Sequence, residues 1–189
     1  MYLSWEVLGD YYHEETGVAK SLAILKQQTD LNIGIVGLGA GVLAKFGDES
    51  DKLRFYELNP AVYKMAQTYF TYLNDSQAEI EVEIADGRIA LTHEVQANAP
   101  LMNGIVIDAF SSDVIPAHLL TLEAFEIYWQ RMSEDGVLIF HISNTHLDIM
   151  PMLQSISEHF DKALIRCKES GNVSSFRSDW VVLSSNQAF

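Results

Sequence analysis

Ile33-Gly34-Ile35-Val36-Gly37-Leu38-Gly39-Ala40-Gly41, followed after a short interval by Tyr56-Glu57-Leu58-Asn59-Pro60, decides how the rest of the chain is read. Apolar and small residues running into three glycines at alternate positions predict a buried parallel strand entering a tight turn. That turn is bare enough of side chains for a ligand to lie against its backbone. Leu53-Arg54-Phe55-Tyr56-Glu57 predicts a second strand ending in an acid. Glu57 stands twenty positions after Gly37, where a nucleotide-binding α/β unit places the carboxylate that accepts from both ribose hydroxyls. The dinucleotide fingerprint needs a glycine five positions after its first, and Val42 holds that place here. The Gly37, Gly39, Gly41 pattern instead suits a nucleoside without phosphates, such as S-adenosylmethionine or its decarboxylated form; alone, it also fits a purely structural turn.

Outward from this stretch, strand and helix patterns alternate. Strands are expected at Ile33–Val36, Leu53–Glu57, Ile80–Ala85, Gly104–Ala109 and Val137–Ile142, with final strands near Ala163–Lys168 and Trp180–Ser184. Helices are expected at Val42–Phe46, Ala61–Tyr72 behind Pro60, Arg88–Gln96, a long one from about Pro116 to Met132, and one from about Leu147 to Phe160. Such alternation gives parallel βαβ units with ligands at the carboxyl ends of the strands. Residues 1–30 hold aromatic and apolar runs divided by Gly9 and Gly17. They are expected to form a short β-hairpin-like lead-in, although 19–28 equally fits a helix. Residues 31–189 make up the nucleoside-binding domain.

A length of 189 residues fits one domain with one sizeable core. Asp and Glu number 26 against 12 Lys and Arg, a formal charge of −14. This argues against nucleic acid or an anionic membrane surface as partner, and for a cationic substrate. One cysteine, Cys167, excludes an internal disulfide framework and suits a reducing compartment such as the cytoplasm. No apolar run is long enough to span a bilayer, and the acidic N-terminal stretch lacks a signal peptide's pattern, so a soluble chain is expected. Six histidines without paired spacing predict no metal site.

Polar residues recur where the strands end. Asp86-Gly87 follows the third strand; Asp86 can accept from an adenine amino group while Gly87 lets the ring approach, or it can cap the helix that follows. Asp108 ends an apolar strand, where it can take a proton from an attacking amine and hold an ammonium; the alternative is a loop cap. Asp113 could assist, though capping near Pro116 also explains it. His141 and Ser143 close the fifth strand, where they could line the crevice, although His141 also reads as a satisfied core residue.

Four blocks together resemble the spermidine synthase (polyamine aminopropyltransferase) family. They are Gly37-Leu38-Gly39-Ala40-Gly41, Tyr56-Glu57-Leu58-Asn59-Pro60, Ala85-Asp86-Gly87-Arg88, and the run from Ile107-Asp108 through Asp113 and Pro116-Ala117-His118 to Thr121. The last block, with His141-Ile142-Ser143-Asn144 and Asp179-Trp180-Val181-Val182-Leu183, looks most like the spermidine-synthase-like domains often fused to membrane transporter segments. The resemblance covers residues from about 9 to 184. It implies a methyltransferase-like Rossmann fold, a mostly parallel twisted sheet with helices on both faces, and a homodimer. It also implies decarboxylated S-adenosylmethionine or a relative as co-substrate, with Glu57 on the ribose, Asp86 on the adenine and Asp108 as general base. Tyr12-His13-Glu14 resembles the family's Tyr-His-Glu element, which places Tyr12 and His13 toward donor and amine. Core family members carry a second aspartate three residues after the catalytic one; here Ser111 stands there and Asp113 lies five residues on.

The expected activity is aminopropyl transfer to an amine such as putrescine with release of methylthioadenosine. The competing readings are an S-adenosylmethionine-dependent methyltransferase or S-adenosylmethionine-cleaving enzyme, and a nucleoside-binding domain without turnover.

Overall fold

The structure, a computed structural model, describes residues 12–109, 115–143, 147–169 and 178–189. Its strands are β1 (Asn32–Val36), β2 (Lys52–Glu57), β3 (Glu79–Ile84), β4 (Met102–Ile107), β5 (Met132–His141), β6 (Ala163–Lys168) and β7 (Asp179–Ser184). Its α-helices are α1 (Gly17–Lys26), α2 (Pro60–Tyr69), α3 (Tyr72–Asp75), α4 (Gly87–Gln96), α5 (Leu122–Arg131) and α6 (Met150–His159), and Val42–Phe46 and Ala117–Leu119 are 3₁₀ turns.

All seven strands form one sheet in the order β3-β2-β1-β4-β5-β7-β6. Neighbours from β3 to β5 are parallel, and β7 runs antiparallel between β5 and β6. Apolar side chains alternate between the two faces because a strand has a period of two. Ile33, Ile35, Phe55, Val106, Ile139 and Val182 pack with α1 and the Val42–Phe46 turn on one face. Ile105, Ile107, Leu138, Phe140 and Val181 pack with α4, α5 and α6 on the other.

The helix starts follow from local chemistry. Asn59 Oδ1 accepts from Ala61 N–H ahead of Pro60 in the first turn of α2, and Asp86 Oδ1 accepts from Ile89 N–H ahead of α4. Thr121 explains why the expected long helix from Pro116 to Met132 is broken. Its backbone is extended and its hydroxyl accepts from Ala124 N–H, so α5 starts afresh at Leu122 behind a separate 3₁₀ turn. In the lead-in, residues 1–11 lie outside the described residues. Gly17–Lys26 is helical rather than extended, the second of the two alternatives for that stretch: Thr16 caps it, and Val18, Leu22 and Leu25 meet the core at helical spacing.

Register lines up the ends of the parallel strands. Val36 lies opposite Tyr56 and Ile107, Glu57 opposite Ile84, and Ile107 opposite Phe140. The residues one or two positions further on, Asp86, Glu57, Gly37, Asp108 and His141, therefore follow one another along a single rim. The strand order reverses between β1 and β4, which is where an open α/β sheet leaves a crevice.

Candidate active site

That crevice is a cleft of about 510 Å³, within the range of small-molecule sites. Its floor is the glycine turn, and its walls carry Tyr12, Glu57, Asn59, Asp86, Asp108 and His118. The expected carboxylates 57, 86 and 108 thus share one cavity.

The glycines divide their work. Gly37 has φ +101°, and a Cβ there would lie 2.4 Å from the carbonyl oxygen of Asp108, so a bare residue lets β1 and β4 close together at their ends. Gly39 also has positive φ, +53°, but a Cβ there would meet nothing within 4 Å: it opens onto the cleft. Gly41 backs against Leu73 and does not line the cleft; Gly87 lines it, although its own bareness lets Val36 pack closely, where a Cβ would sit 2.6 Å from Val36 Cγ1. Gly37→Ala is accordingly expected to abolish nucleoside binding and to lower stability by more than the ~1–2 kcal/mol of a left-handed alanine. Gly39→Ala is expected to lose only about that much stability, while its Cβ enters the cleft and weakens nucleoside binding. Thermal melts of both variants, paired with calorimetry using methylthioadenosine, check the contrast.

Glu57 is nearly buried, and both its oxygens are anchored by backbone: Oε2 accepts from Leu38 N–H at 3.1 Å and Oε1 from Asn59 N–H at 2.8 Å. A carboxylate offers about four lone-pair positions, so two sites remain to accept from ribose hydroxyls. The Val42–Phe46 segment that follows the glycines is a five-residue 3₁₀ turn with Val42 in the core. This is a poor phosphate cradle compared with the long helix of a dinucleotide site.

Asp86 caps the helix that follows it, one of the two roles its sequence leaves open. Oδ1 caps α4, while Oδ2 faces the cleft and lies 2.9 Å from His118 Nε2. His118 is itself fixed by Arg88, whose guanidinium donates to the His118 carbonyl at 2.9 Å. Asp86→Asn keeps a good cap and should preserve the melting temperature. Asp86→Ala should lose ~1 kcal/mol of stability and, by removing a charged acceptor worth ~1.5–3 kcal/mol, weaken methylthioadenosine about tenfold to a hundredfold. Calorimetry and thermal melts separate the two effects.

Asp108 has two partners of its own. The Tyr12 hydroxyl donates to Oδ2 at 2.7 Å, and His141 Nδ1 lies 2.7 Å from Oδ1. Sequence reasoning placed His141 in the core but missed this bond. The signal available was that the fourth and fifth strands both end in polar residues; only their register makes Asp108 and His141 neighbours. His118 carried no spacing signal at all. His13 lies outside the cleft lining, with Nε2 3.0 Å from Glu169 and Nδ1 accepting from Glu15 N–H. Asp113 lies outside the described residues. No group of three or more His, Cys, Asp or Glu side chains placed to hold a metal occurs among the described residues. No helix among them is long and apolar enough to cross a membrane.

The fold is shared with human methyltransferase-like protein 13, solved in complex with SAH (TM-score 0.65, 16% identity, 89% of this chain and 82% of that one). The fold is a methyltransferase-like Rossmann fold. Spermidine synthase from Thermotoga maritima shares it, with a TM-score of 0.59 and 19% identity over 93% of this chain and 60% of that one. In sequence, 115 residues are 31% identical to a polyamine aminopropyltransferase of Vibrio vulnificus (strain CMCP6), covering 59% of this chain. The matched part spans 37% of that relative's length. No known protein-family model matches the chain. The chain is therefore homologous over that part to an aminopropyltransferase.

Proposed function

We propose that this chain carries the donor-binding and proton-accepting part of an aminopropyltransferase acting on decarboxylated S-adenosylmethionine and a small amine such as putrescine. The observation that carries the reading is the placement of Asp108 in the same cleft as Glu57 and Asp86, across the bare Gly37–Gly39 backbone. Glu57 takes the ribose hydroxyls and Asp86 the adenine amino group, which directs the sulfonium arm toward Asp108. The neutral amine nitrogen attacks the methylene carbon bound to sulfur, the carbon–sulfur bond breaks with its electron pair passing to sulfur, and methylthioadenosine leaves. The new ammonium gives its proton to Asp108.

Positive charge disappears from sulfur during this step, so alignment of the reactants and exclusion of water supply most of the acceleration. The charged residues lining the cleft favour cations: Glu57, Asp86 and Asp108 are acids, and neither Lys nor Arg lines it among the described residues. This supports a donor whose arm ends in an ammonium over one that also carries a carboxylate.

Incubation with decarboxylated S-adenosylmethionine or S-adenosylmethionine, with and without putrescine, tests the proposal by mass spectrometry. Amine-dependent methylthioadenosine is expected. Adenosylhomocysteine would mean methyl transfer, methylthioadenosine without amine would mean internal cleavage, and tight methylthioadenosine binding with no product would mean a binding domain.

A further inference from the structure

Behind Asp108 a chain of hydrogen bonds runs into the sheet, away from the cleft. His141 Nδ1 is 2.7 Å from Asp108 Oδ1, His141 Nε2 is 2.9 Å from Ser143 Oγ, and Ser143 Oγ accepts from the backbone N–H of Asp179 at 2.7 Å. The imidazole is 2% exposed and stacks on Trp180 at 4.2 Å between ring centroids, with planes 7° apart. That stacking follows from register, since His141 lies directly opposite Trp180 across the β5–β7 pair.

The partners assign the ring's tautomer. An ionised carboxylate only accepts, so the proton between Asp108 and His141 sits on Nδ1. The Asp179 N–H occupies one acceptor position on Ser143, and with the single ring proton on Nδ1 the bare Nε2 accepts from the Ser143 hydroxyl. Every group in the chain is then satisfied by a neutral ring with Nδ1–H.

We propose that His141 is a positioning residue for Asp108. Held as the Nδ1–H tautomer by Ser143 and flat against Trp180, it pins Oδ1 toward the sheet. Oδ2 and the Tyr12 hydroxyl are thereby left facing the cleft, where the substrate proton arrives. His141 does not touch substrate. The order of atoms is that of a serine–histidine–aspartate relay, but its direction is reversed. Aspartate is the member that lines the cleft, while Ser143 does not line it and is engaged by a backbone N–H. Hydrolysis through Ser143 is therefore not what this chain is built for. The chemistry that Asp108 performs rests on the transferase reading; the tautomer and the pinning do not.

Two measurements on the intact chain test the proposal. In ¹⁵N NMR of histidine-labelled protein at pH 9, the His141 signal, assigned by its loss in His141→Asn, is expected to show a proton on Nδ1 and a bare Nε2. Ser143→Ala is expected to convert it to a mixture of tautomers. A bare Nδ1 in the unaltered protein overturns the proposal, whether or not the protein turns over. In the kinetic arm, His141→Phe keeps a ring against Trp180 but removes the donor, and kcat should fall about 10²-fold with KM for the donor within about threefold. His141→Asn returns an amide N–H near the Nδ1 position and should recover to within about tenfold of the unaltered kcat. An unchanged kcat in His141→Phe, or a folded His141→Asn as slow as His141→Phe, overturns the proposal. If the unaltered protein makes no methylthioadenosine from any donor, the transferase reading fails alone, and the NMR arm still decides whether His141 pins Asp108.

Discussion

Asp108→Asn is expected to lower amine-dependent methylthioadenosine formation by about 10²–10⁴-fold, the range of a lost general base. An amide has the shape of the carboxylate and can still accept from His141 Nδ1, so the fold and the affinity for methylthioadenosine should persist. Product formation is followed by mass spectrometry at saturating donor and amine, with calorimetry on the same preparation confirming that the nucleoside still binds. Unchanged turnover would move the base away from Asp108. Tyr12, whose hydroxyl shares the carboxylate's cleft-facing oxygen, would be the next residue to vary.

The second large effect is on stability. Glu94 of α4 is the hub of a nearly buried polar cluster under the sheet. Its Oε2 accepts from Arg131 Nε at 2.7 Å, and its Oε1 accepts from Arg54 at 2.6 Å and from the Tyr56 hydroxyl at 2.8 Å. Arg131 is 3% exposed and also donates to the Pro100 carbonyl. Glu94→Ala leaves that guanidinium buried without its counter-charge and is expected to cost about 3–5 kcal/mol, a fall in melting temperature on the order of 10 °C for a domain of this size.

The same cluster sets a pH dependence. Burial would raise the Glu94 carboxyl, but hydrogen bonds from Arg54, Tyr56 and Arg131 outweigh it and hold the group below its ordinary value of 4.5. A group lowered by folding stabilises fully above its unfolded value, and that stabilisation is lost as pH falls through the folded one. Thermal melts should therefore show the Glu94→Gln variant losing less stability between pH 5 and acid conditions than the unaltered protein. Equal acid sensitivity would mean that other carboxylates dominate.

Much of the fold is legible because parallel strands buried on both faces are written as apolar runs with turn residues at their ends. Ile33–Val36 and Gly104–Ile107 could hardly be read otherwise, and Ala163–Lys168 matches the observed strand residue for residue. The acids of the cleft were legible for the same reason: a carboxylate that closes an apolar strand has nowhere to go but the rim. What escaped depends on how separate elements meet. Thr121 breaks a helical pattern through its own backbone conformation, which competes with the periodicity around it. Gly17–Lys26 was ambiguous because its apolar residues fit two periods until packing against the sheet selected one. Arg54 and Tyr56 share a strand face two residues apart, but Glu94 lies forty residues beyond Arg54 and is matched to them only by the crossover of α4. The Asp108–His141 bond is invisible before the register of β4 and β5 is known.

At the β3 end of the sheet, Glu79, Glu81 and Glu83 alternate with Ile80, Val82 and Ile84, and β3 has no strand beyond it among the described residues. Two of these glutamates are tied to Lys52 and Arg54 on β2. An intruding strand of a second molecule would have to lie against this acidic ladder, with like charges brought face to face, which is how edges are kept from templating aggregation. The protection is electrostatic, so it weakens as added salt shortens the screening length. Clumping of concentrated protein should therefore grow with ionic strength, and light scattering across a salt series would show it.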